Sequence, residues 1–250
     1  MKNNFFNSPL GNINSEPSSN SEVLSQILYG EKFRILTRTE NWVKIKTNYD
    51  NYIGFIKENN FYKKFNPKFK ISKLKSKIFI RKNNRFLPSK KYLYFASGVS
   101  VLNNNKNFLE FKKNRWIKKS DAKSILHQEK NFTKIFKLFL NSKYLWGGKT
   151  SDGIDCSALI QIYFYYNRIF FPRDSKDQIK FCKKKSAKKN IKGDIIFWRG
   201  HVGVCINNSK FIHAYGPKKK VIIMPTKFTV DLIHKTANLI VKKISNIKNY

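Results

Sequence analysis

Residues 144–160 contain a glycine-rich loop that leads into the start of a helix. Apolar residues recur with helical spacing from the end of this segment to Tyr166. Asp155 occupies the position of an N-cap, which places Cys156 in the first helical turn. Unpaired backbone N–H groups and the helix dipole favour an anion there, and the thiolate is the reactive form of cysteine. The segment predicts a nucleophilic cysteine, although most free cysteines are small buried residues.

Two histidines follow on strands that the sequence predicts to be neighbours. Residues 194–198 and 201–206 have the pattern of a hairpin, and residues 210–215 form a third strand. A three-residue second turn would place Gly203 opposite His213, so that His201 and His213 share one face. A slip by one residue would send His213 to the other face. With the shared face, His201 is the expected base for the thiol proton, and His213 fixes its tautomer and orientation.

Five short motifs occur in order in this half of the chain: residues 144–148 (YLWGG), 155–160 (DCSALI), 193–198 (GDIIFW), 201–203 (HVG) and 211–214 (FIHA). Together they resemble the NlpC/P60 cysteine peptidases, from about residue 124 to the C terminus. Five motifs in register are far more specific than any one of them. Ala158, where glycine is usual, is a departure, but alanine is also small and a better helix former.

The resemblance implies a reduced papain-like fold, in which the helix bearing the cysteine packs on an antiparallel sheet. It also implies hydrolysis of peptidoglycan stem peptides between D-γ-glutamate and diaminopimelate or lysine. Tyr144 matches a tyrosine that helps to hold the oxyanion. Asp155 and Ser157 match positions that line the substrate cleft.

A second group of residues is similar to a substrate-binding segment of the same family. In members that carry SH3 domains and cut released stem peptides, an aspartate and a serine bind the free amine of L-Ala, and Asp174 and Ser175 match them. A glutamate and a tyrosine of the first SH3 domain complete that pocket, for which Glu31 and Tyr52 are the candidates. A solvated turn residue and a barrel aromatic are equally good interpretations of these last two.

The first half of the chain has the pattern of short strands joined by polar turns. Strands are predicted at residues 33–36, 42–47 and 52–56, and small strands with tight turns suggest a barrel. This part resembles bacterial SH3 domains. After Asn66-Pro67 a second β-rich stretch follows, and between residues 121 and 140 the period changes towards that of a helix, with Ile125 on the same side as four later apolar residues.

We therefore predict an α+β protein in which an all-β N-terminal half precedes a papain-like NlpC/P60 domain. The predicted domains are an SH3-like domain with an N-terminal arm at 1–65, a second SH3-like β domain at 66–123, and the cysteine peptidase domain at 124–250.

The chain carries a formal net charge of +36, which invites a nucleic-acid or anionic-surface interpretation. Lys, Asn, Ile and Phe nevertheless crowd the whole sequence, as a biased coding sequence would produce, whereas a binding footprint would be local. We therefore do not expect nucleic-acid binding. The charge should still attract acidic substrates.

The three cysteines give no disulfide framework and no C-x-x-C pair. Metal binding by His201, His213 and a cysteine would need a fourth ligand, so neither a metal nor a cofactor is expected. Cys205 is expected to pack, and Cys182, among lysines, would be oxidisable if it were exposed to solvent. Free thiols, the lack of a signal-peptide pattern and the lack of about eighteen consecutive apolar residues predict a cytoplasmic location, with leaderless export left open.

The predicted activity is hydrolysis through a thioester, on short released peptides with a free N-terminal L-Ala, in the recycling of wall fragments. Two alternatives stay open. One is a basic, SH3-containing protein that binds cell wall or nucleic acid with an inactive catalytic domain. The other is a papain-like amidase or acyltransferase. The sequence does not predict the oligomeric state.

Overall fold

The computed structural model describes residues 3–185 and 191–250. The chain divides into two compact units, one that ends at Gln128 and one that begins at Glu129. Strands alone build the first unit apart from a short 3-10 turn, and the four α-helices of the described residues belong to the second. None of the helices in the described ranges is both long and apolar enough to cross a membrane.

The first barrel is a six-stranded sheet in the order β1-β4-β5-β6-β2-β3. Its strands are β1 (Asn3–Phe5), β2 (Leu10–Asn14), β3 (Val23–Leu28), β4 (Lys32–Thr39), β5 (Trp42–Thr47) and β6 (Ile53–Lys57). The alternation in β5 buries Val43, Ile45 and Thr47 and leaves the residues between them half-buried. Phe33 and Ile56 pack against this row. The three strands predicted in this region are confirmed.

The second β region has two sheets, in the orders β10-β7-β14 and β11-β12-β13-β8-β9. Its strands are β7 (Phe69–Ile71), β8 (Lys75–Lys82), β9 (Arg85–Tyr94), β10 (Gly98–Val99), β11 (Asn103–Asn104), β12 (Phe108–Lys112), β13 (Arg115–Lys118) and β14 (Ala122–Ser124). They enclose one core, which includes Ile71, Ile78, Leu93, Leu109 and Ile117. The all-β N-terminal half is therefore as the sequence predicted, and the assignment of residues 66–123 to a second SH3-like domain stays a prediction.

The helical pattern expected between residues 121 and 140 is only partly correct. Helix α1 (Phe132–Leu138) buries Phe132, Ile135 and Phe136, but Ile125 lies outside it. The chain just before Ile125 forms β14, which pairs with β7 along all three of its residues. Sheet pairing with a distant strand therefore overrides the local helical period.

The second unit is a five-stranded antiparallel sheet, in the order β20-β19-β18-β17-β21, with helices packed on it. Its elements are β15 (Lys149–Thr150), β16 (Gly153–Ile154), α2 (Cys156–Tyr166), α3 (Ser175–Phe181), β17 (Asp194–Trp198), β18 (His201–Cys205), β19 (Lys210–Tyr215), β20 (Lys220–Pro225), α4 (Thr226–Ala237) and β21 (Lys243–Asn246). Helix α2 packs mainly against β18 and β19, and α4 packs against β19 and β20. The helix that bears the cysteine is thus central and almost wholly buried.

Candidate active site

Cys156 is the first residue of α2, as the sequence predicted. Asp155 caps this helix, since its Oδ1 accepts a hydrogen bond from the backbone N–H of Ala158 at 2.8 Å. Its Oδ2 accepts a second bond from the backbone N–H of Gly147 at 3.1 Å. One carboxylate therefore fixes both the start of the helix and the glycine-rich loop beside it.

Arg173 completes this arrangement and was given no role by the sequence. Its guanidinium donates to both oxygens of Asp155, at 2.7 and 3.0 Å, and to Ser157 Oγ at 3.0 Å. The ion pair is nearly inaccessible to solvent, with 1% and 7% of the two side chains exposed. Such a two-point contact holds a carboxylate in a fixed orientation. Gln178 adds a further link, because its Nε2 donates to Ser157 O and to Pro172 O, both at 2.9 Å.

Asp155 and Ser157 were predicted to line the substrate cleft, and the structure places both in this buried network. Their hydrogen bonds to Ala158 and Arg173 hold the start of the helix that carries Cys156. A direct contact of either residue with substrate stays a prediction. No sequence signal connects Arg173 with Asp155, because the two are eighteen residues apart and belong to no common periodic pattern.

The two predicted histidines face each other. His201 Nε2 and His213 Nδ1 are 2.9 Å apart. In the β18–β19 pair, Val204 lies opposite Ile212 and Cys205 opposite Phe211. The same register, extended by one residue, places Gly203 opposite His213, as expected. A Cβ at Gly203 would lie 2.8 Å from His213 Cβ and closer still to the Phe211 ring, so only glycine fits there.

Two further side chains surround His213, which is fully buried. The ring of Tyr215 stacks on it, with the centroids 4.7 Å apart and an interplanar angle of 16°. Its Nε2 lies 3.5 Å from Met224 Sδ. A thioether sulfur can accept a hydrogen bond but cannot donate one. His213 therefore carries its proton on Nε2 if it bonds to Met224, and Nδ1 is then the acceptor for His201.

The Cys156 sulfur is close to the hairpin that carries His201. Its Sγ lies 3.9 Å from the carbonyl oxygen of Gly200, and 4% of the residue is exposed, whereas Cys205 is fully buried. Burial raises the pKa of the Cys156 thiol to about 12, and the charge of Asp155 acts in the same direction. The backbone N–H groups of Val202 and Ser157 act the other way. Desolvation therefore raises the pKa of the thiol by more than the helix start lowers it. Without substrate, Cys156 is a thiol rather than a thiolate at neutral pH.

His201 is neutral in the same state, because burial lowers its pKa to about 4. Burial, together with the neighbouring His201, lowers the pKa of His213 to about 3. A neutral imidazole can accept the thiol proton, whereas an imidazolium cannot. If His201 donates through Nε2–H to His213, its Nδ1 is free of hydrogen and able to act as the base.

Tyr144 is half-buried on the chain segment before the glycine-rich loop. Burial, together with the nearby Cys156 and Asp155, raises its pKa to about 12. The phenol therefore keeps its O–H at neutral pH and can donate a hydrogen bond. This is the property that its predicted oxyanion role requires.

The remaining predicted residues lie in both units. Asp174 precedes α3 and Ser175 is its first residue, and both are half-buried. Glu31 is buried in the first barrel, where its Oε2 accepts a bond from the backbone N–H of Leu28 at 3.1 Å. The hydroxyl of Tyr52 donates to Leu24 O at 3.5 Å. The amine-binding role of these four residues stays a prediction.

Cys182 and Cys205 are both buried, so Cys182 does not have the solvent exposure that would make it oxidisable. Cys205 Sγ lies 4.0 Å from Thr226 Oγ1. Within residues 3–185 and 191–250, no group of three or more His, Cys, Asp or Glu side chains is arranged to hold a metal ion.

Comparison with known proteins agrees with this geometry. Residues 141–235 match the NlpC/P60 family, and residues 13–61 match the bacterial dipeptidyl-peptidase SH3 domain. The chain is 23% identical over 234 residues to dipeptidyl-peptidase 6 of Lysinibacillus sphaericus, covering 82% of this chain and 84% of that protein. It is also 23% identical to the γ-D-glutamyl-L-lysine dipeptidyl-peptidase of Bacillus subtilis, covering 83% and 77%.

Over a shorter segment the chain is 34% identical to a probable endopeptidase NlpC homolog of Haemophilus influenzae. This match covers 38% of this chain and 54% of that protein. The crystal structure of an NlpC/P60 family protein from Bacillus cereus superposes with a TM-score of 0.76 at 18% identity, over 90% of this chain and 94% of that one. The fold is therefore shared across both units. The chain carries an NlpC/P60 cysteine peptidase domain together with an N-terminal bacterial SH3 domain.

Proposed function

We propose that this protein hydrolyses peptidoglycan stem peptides between D-γ-glutamate and the diamino acid that follows it, with Cys156 as nucleophile. The observation that carries the proposal is the 2.9 Å contact between His213 on β19 and His201 on β18, the strand that follows the turn whose Gly200 O lies 3.9 Å from the Cys156 sulfur. A cysteine at a helix start, a neutral base and a residue that orients the base form the arrangement of a thiol hydrolase. The names of the Bacillus relatives, γ-D-glutamyl-L-lysine dipeptidyl-peptidases, support the choice of bond.

The reaction proceeds in two halves. As the Cys156 sulfur bonds to the γ-glutamyl carbonyl carbon, the thiol proton moves to His201 Nδ1. The carbonyl oxygen becomes an oxyanion, which Tyr144 O–H and backbone N–H groups at the start of α2 stabilise. The C–N bond then breaks, and His201 returns its proton to the leaving amine. Water then attacks the thioester carbonyl carbon and gives one proton to His201. The C–S bond breaks, His201 passes that proton to the sulfur, and the released γ-carboxylic acid ionises in water.

The proposed substrates are short peptides that begin with a free L-Ala. Asp174 is the group proposed to bind the ammonium, with Ser175, Glu31 and Tyr52 around it. The dipeptidyl-peptidase names of two relatives support cleavage after two residues. We also propose that the protein acts in the cytoplasm, in the recycling of wall fragments. Cell fractionation with an antibody against the chain tests this location.

The test uses L-Ala-γ-D-Glu-diaminopimelate and an N-acetylated copy, with products separated by liquid chromatography and identified by mass. We expect the wild type to release L-Ala-D-Glu from the free peptide and to cut the acetylated one at least about tenfold more slowly, since the ionic contact with the half-buried Asp174 is then lost. Cys156→Ala should lower turnover by at least about a thousandfold.

Cys205→Ala is the matched control, because it removes another buried cysteine of the same unit and should leave turnover within about threefold of the wild type. Undiminished cleavage by Cys156→Ala would refute the proposal. Salt-dependent binding to cell wall or nucleic acid without turnover would favour the binding protein instead, and products joined to an added amine would favour an acyltransferase.

A further inference from the structure

The second β region carries a local excess of positive charge. Residues 66–123 contain 17 Lys and Arg against two Asp and Glu, whereas residues 1–65 contain nine against six. A biased coding sequence would raise the charge of both stretches alike, because both are all-β and of similar length. The composition of the whole chain therefore does not account for the charge of the second region.

Two hairpin turns of this region have nearly the same sequence. The β8–β9 turn is Lys-Asn-Asn-Arg at 82–85, and the β12–β13 turn is Lys-Lys-Asn-Arg at 112–115. The backbone N–H of Arg81 donates to Asn114 Oδ1 at 2.8 Å, so the two turns lie side by side. The basic tip cluster consists of the six exposed cationic residues of these two hairpin ends: Arg81, Lys82, Arg85, Lys112, Lys113 and Arg115.

The fold brings like charges together at this end of the sheet. In each hairpin the first and the last turn residue lie directly opposite each other, and both are cationic. Like charges in this position destabilise a strand pair. The two acidic residues of the region have other partners, because Glu110 Oε1 accepts from the backbone N–H of Asn114 at 2.7 Å and Asp121 Oδ2 accepts from Ser76 Oγ at 2.9 Å. A polyanion bound from outside would relieve the repulsion.

The chemistry of the two turns selects among anionic partners. Both turns consist of charged and amide side chains and offer no apolar group for insertion into a lipid surface, which stable membrane binding requires in addition to charge. The rings of Phe86 and Phe108 beside them stack on each other, with centroids 4.1 Å apart, rather than presenting a face to bases. Six clustered cations match a dense row of phosphates, and a nucleic-acid duplex carries one negative charge for about every 1.7 Å of its axis.

We propose that the basic tip cluster binds the phosphodiester backbone of double-stranded nucleic acid without reading its sequence. The arginine side chains can each donate two parallel hydrogen bonds to a phosphate, and the lysine side chains add point charges. Each phosphate contact releases condensed counterions, so the affinity depends steeply on salt. This binding is separate from the proposed peptidase function and does not depend on it.

The experiment measures binding of the full chain to a fluorescein-labelled duplex of about 20 base pairs and random sequence, by fluorescence anisotropy at about 50 to 300 mM salt. If all six cations contact phosphates, log K should fall with log salt concentration with a slope of about −5. The Kd at physiological salt should lie at about 1–100 μM, as for sequence-independent binding. Cys156→Ala should bind the duplex like the wild type.

Two variants with the same loss of charge separate the cluster from the charge of the whole chain. The cluster variant combines Arg81→Gln, Lys82→Gln, Arg85→Gln, Lys112→Gln, Lys113→Gln and Arg115→Gln. It should bind at least about a hundredfold more weakly at about 50 mM salt, with a slope of about −1. The matched control removes six exposed lysines spread over the second unit: Lys130→Gln, Lys137→Gln, Lys176→Gln, Lys180→Gln, Lys210→Gln and Lys235→Gln. It should keep the wild-type slope and lose less than about fivefold in affinity, because salt screens distant charges.

Thermal melts at low salt show whether the cluster variant is folded. Its melting temperature should equal or exceed that of the wild type, because the repulsion across two strand pairs is removed. A half variant with only Lys112→Gln, Lys113→Gln and Arg115→Gln should give an intermediate slope of about −2 to −3. Both variants should cut L-Ala-γ-D-Glu-diaminopimelate within about threefold of the wild-type rate, so the peptidase function and this binding are tested separately.

Three results would overturn the inference. The first is a wild type that does not bind the duplex at low salt. The second is an equal loss of affinity in the cluster variant and in the matched control, which would assign binding to the total charge. The third is tighter binding to vesicles that contain anionic lipid than to the duplex, which would assign the cluster to a membrane surface.

Discussion

Asp155 shows how one buried carboxylate organises the nucleophile. It caps α2, holds Gly147 and pairs with Arg173, and all three contacts lie within 3.1 Å. A buried charge is tolerated only where a partner and hydrogen bonds compensate for lost hydration. Arg173 supplies that compensation here. We therefore treat Arg173 as a positioning residue that acts on Cys156 through Asp155.

Replacement of Arg173 by Met should destabilise the protein by about 3–5 kcal/mol, because it leaves the buried charge of Asp155 without its cationic partner. Urea unfolding at neutral pH measures this loss. The double variant Arg173→Met with Asp155→Asn should recover part of it, since no charge is then left behind. Lys176→Met, on an exposed residue of α3, is the control and should change stability by less than about 0.5 kcal/mol. Equal stability of Arg173→Met and wild type would contradict this role.

Met224 is expected to fix the tautomer of His213, whose Nε2 lies 3.5 Å from the Met224 sulfur. If its sulfur accepts the Nε2–H of His213, it selects the tautomer that leaves His201 Nδ1 free to act as the base. Met224→Leu keeps the volume and removes the acceptor, so kcat should fall by about threefold to tenfold, as for the loss of one hydrogen bond. Met224→Gln restores an acceptor and should recover activity.

Nitrogen-15 NMR of the His213 ring reports the tautomer directly and separates this effect from repacking. Met224→Leu should populate the Nδ1–H form, whereas the wild type should show Nε2–H. Ile222→Leu is the control, because Ile222 pairs with His213 across the two strands and offers no acceptor in either form. Unchanged ring shifts in Met224→Leu would show that the sulfur does not set the tautomer.

The depressed pKa values of the two histidines give a pH dependence with a defined sign. His201 must be neutral to accept the thiol proton, and burial lowers its pKa to about 4. The acidic limb of kcat/KM should therefore lie well below the ordinary histidine value of about 6.5. An acidic limb at or above pH 6.5 would contradict a desolvated, neutral His201.

Stability should change in the same pH window and in the same direction. Below about pH 6.5 the unfolded chain protonates both histidines, while the folded protein keeps them neutral until near pH 4. The unfolded state then binds more protons, so the melting temperature should fall as the pH drops from 6.5 towards 4. Circular dichroism of the same samples shows whether lost activity reflects titration or unfolding.

At the scale of elements, the β18–β19 pair depends on two glycines for different reasons. Gly203 sits where a Cβ would meet the Phe211 ring and His213 Cβ. Gly200, in the turn before β18, has φ +75° but has open space around it. The first position therefore requires room, and the second requires a backbone conformation that favours glycine.

Gly203→Ala should push β18 and β19 apart and separate His201 from His213. We expect a cost of about 1–3 kcal/mol and a loss of kcat of more than about tenfold. Gly200→Ala should cost about 1 kcal/mol and reduce kcat less. Thermal melts and steady-state rates on both variants measure the losses of stability and of kcat. Equal losses of kcat would show that the close approach of the strands at Gly203 does not hold His201 against His213.

The elements that sequence analysis predicted best are those with one apolar face or a clear cap. Strand β5 alternates cleanly, and α2 begins at Asp155 with an unbroken apolar stretch behind it. In the first half of β9, Phe86 and Leu87 are followed by Pro88 and the residues are mostly exposed, so no alternation of buried and exposed residues marks a strand there. A strand of that kind is held by its partner β8, which no local pattern reveals.

Inside the site, the residue types were predictable but their ionisation was not. The helix start pointed to a thiolate at Cys156, and the structure gives a raised pKa because the surrounding protein removes water from the sulfur. Burial of this kind depends on the packing of α2 against β18 and β19. Those strands lie more than thirty residues further along the chain, so no local pattern contains this information.

At the scale of the whole molecule, the charge of +36 is spread over both units. In the catalytic unit the Arg173–Asp155 pair, which is almost inaccessible to solvent, holds the start of the helix that bears the nucleophile. A positive field over such a surface raises the local concentration of acidic peptides. This agrees with a substrate that carries several carboxylates.

The most direct test of the central claim is mass spectrometry of the protein after rapid acid quench during turnover of L-Ala-γ-D-Glu-diaminopimelate. We predict an L-Ala-γ-D-Glu adduct, and proteolysis of the quenched protein should place it on the peptide that contains Cys156. Appearance of free diaminopimelate should not lag behind the adduct. An adduct on Cys182 or Cys205 would contradict the account. Rapid turnover with no adduct on Cys156, in heavy water that slows the attack of water on the thioester, would contradict it as well.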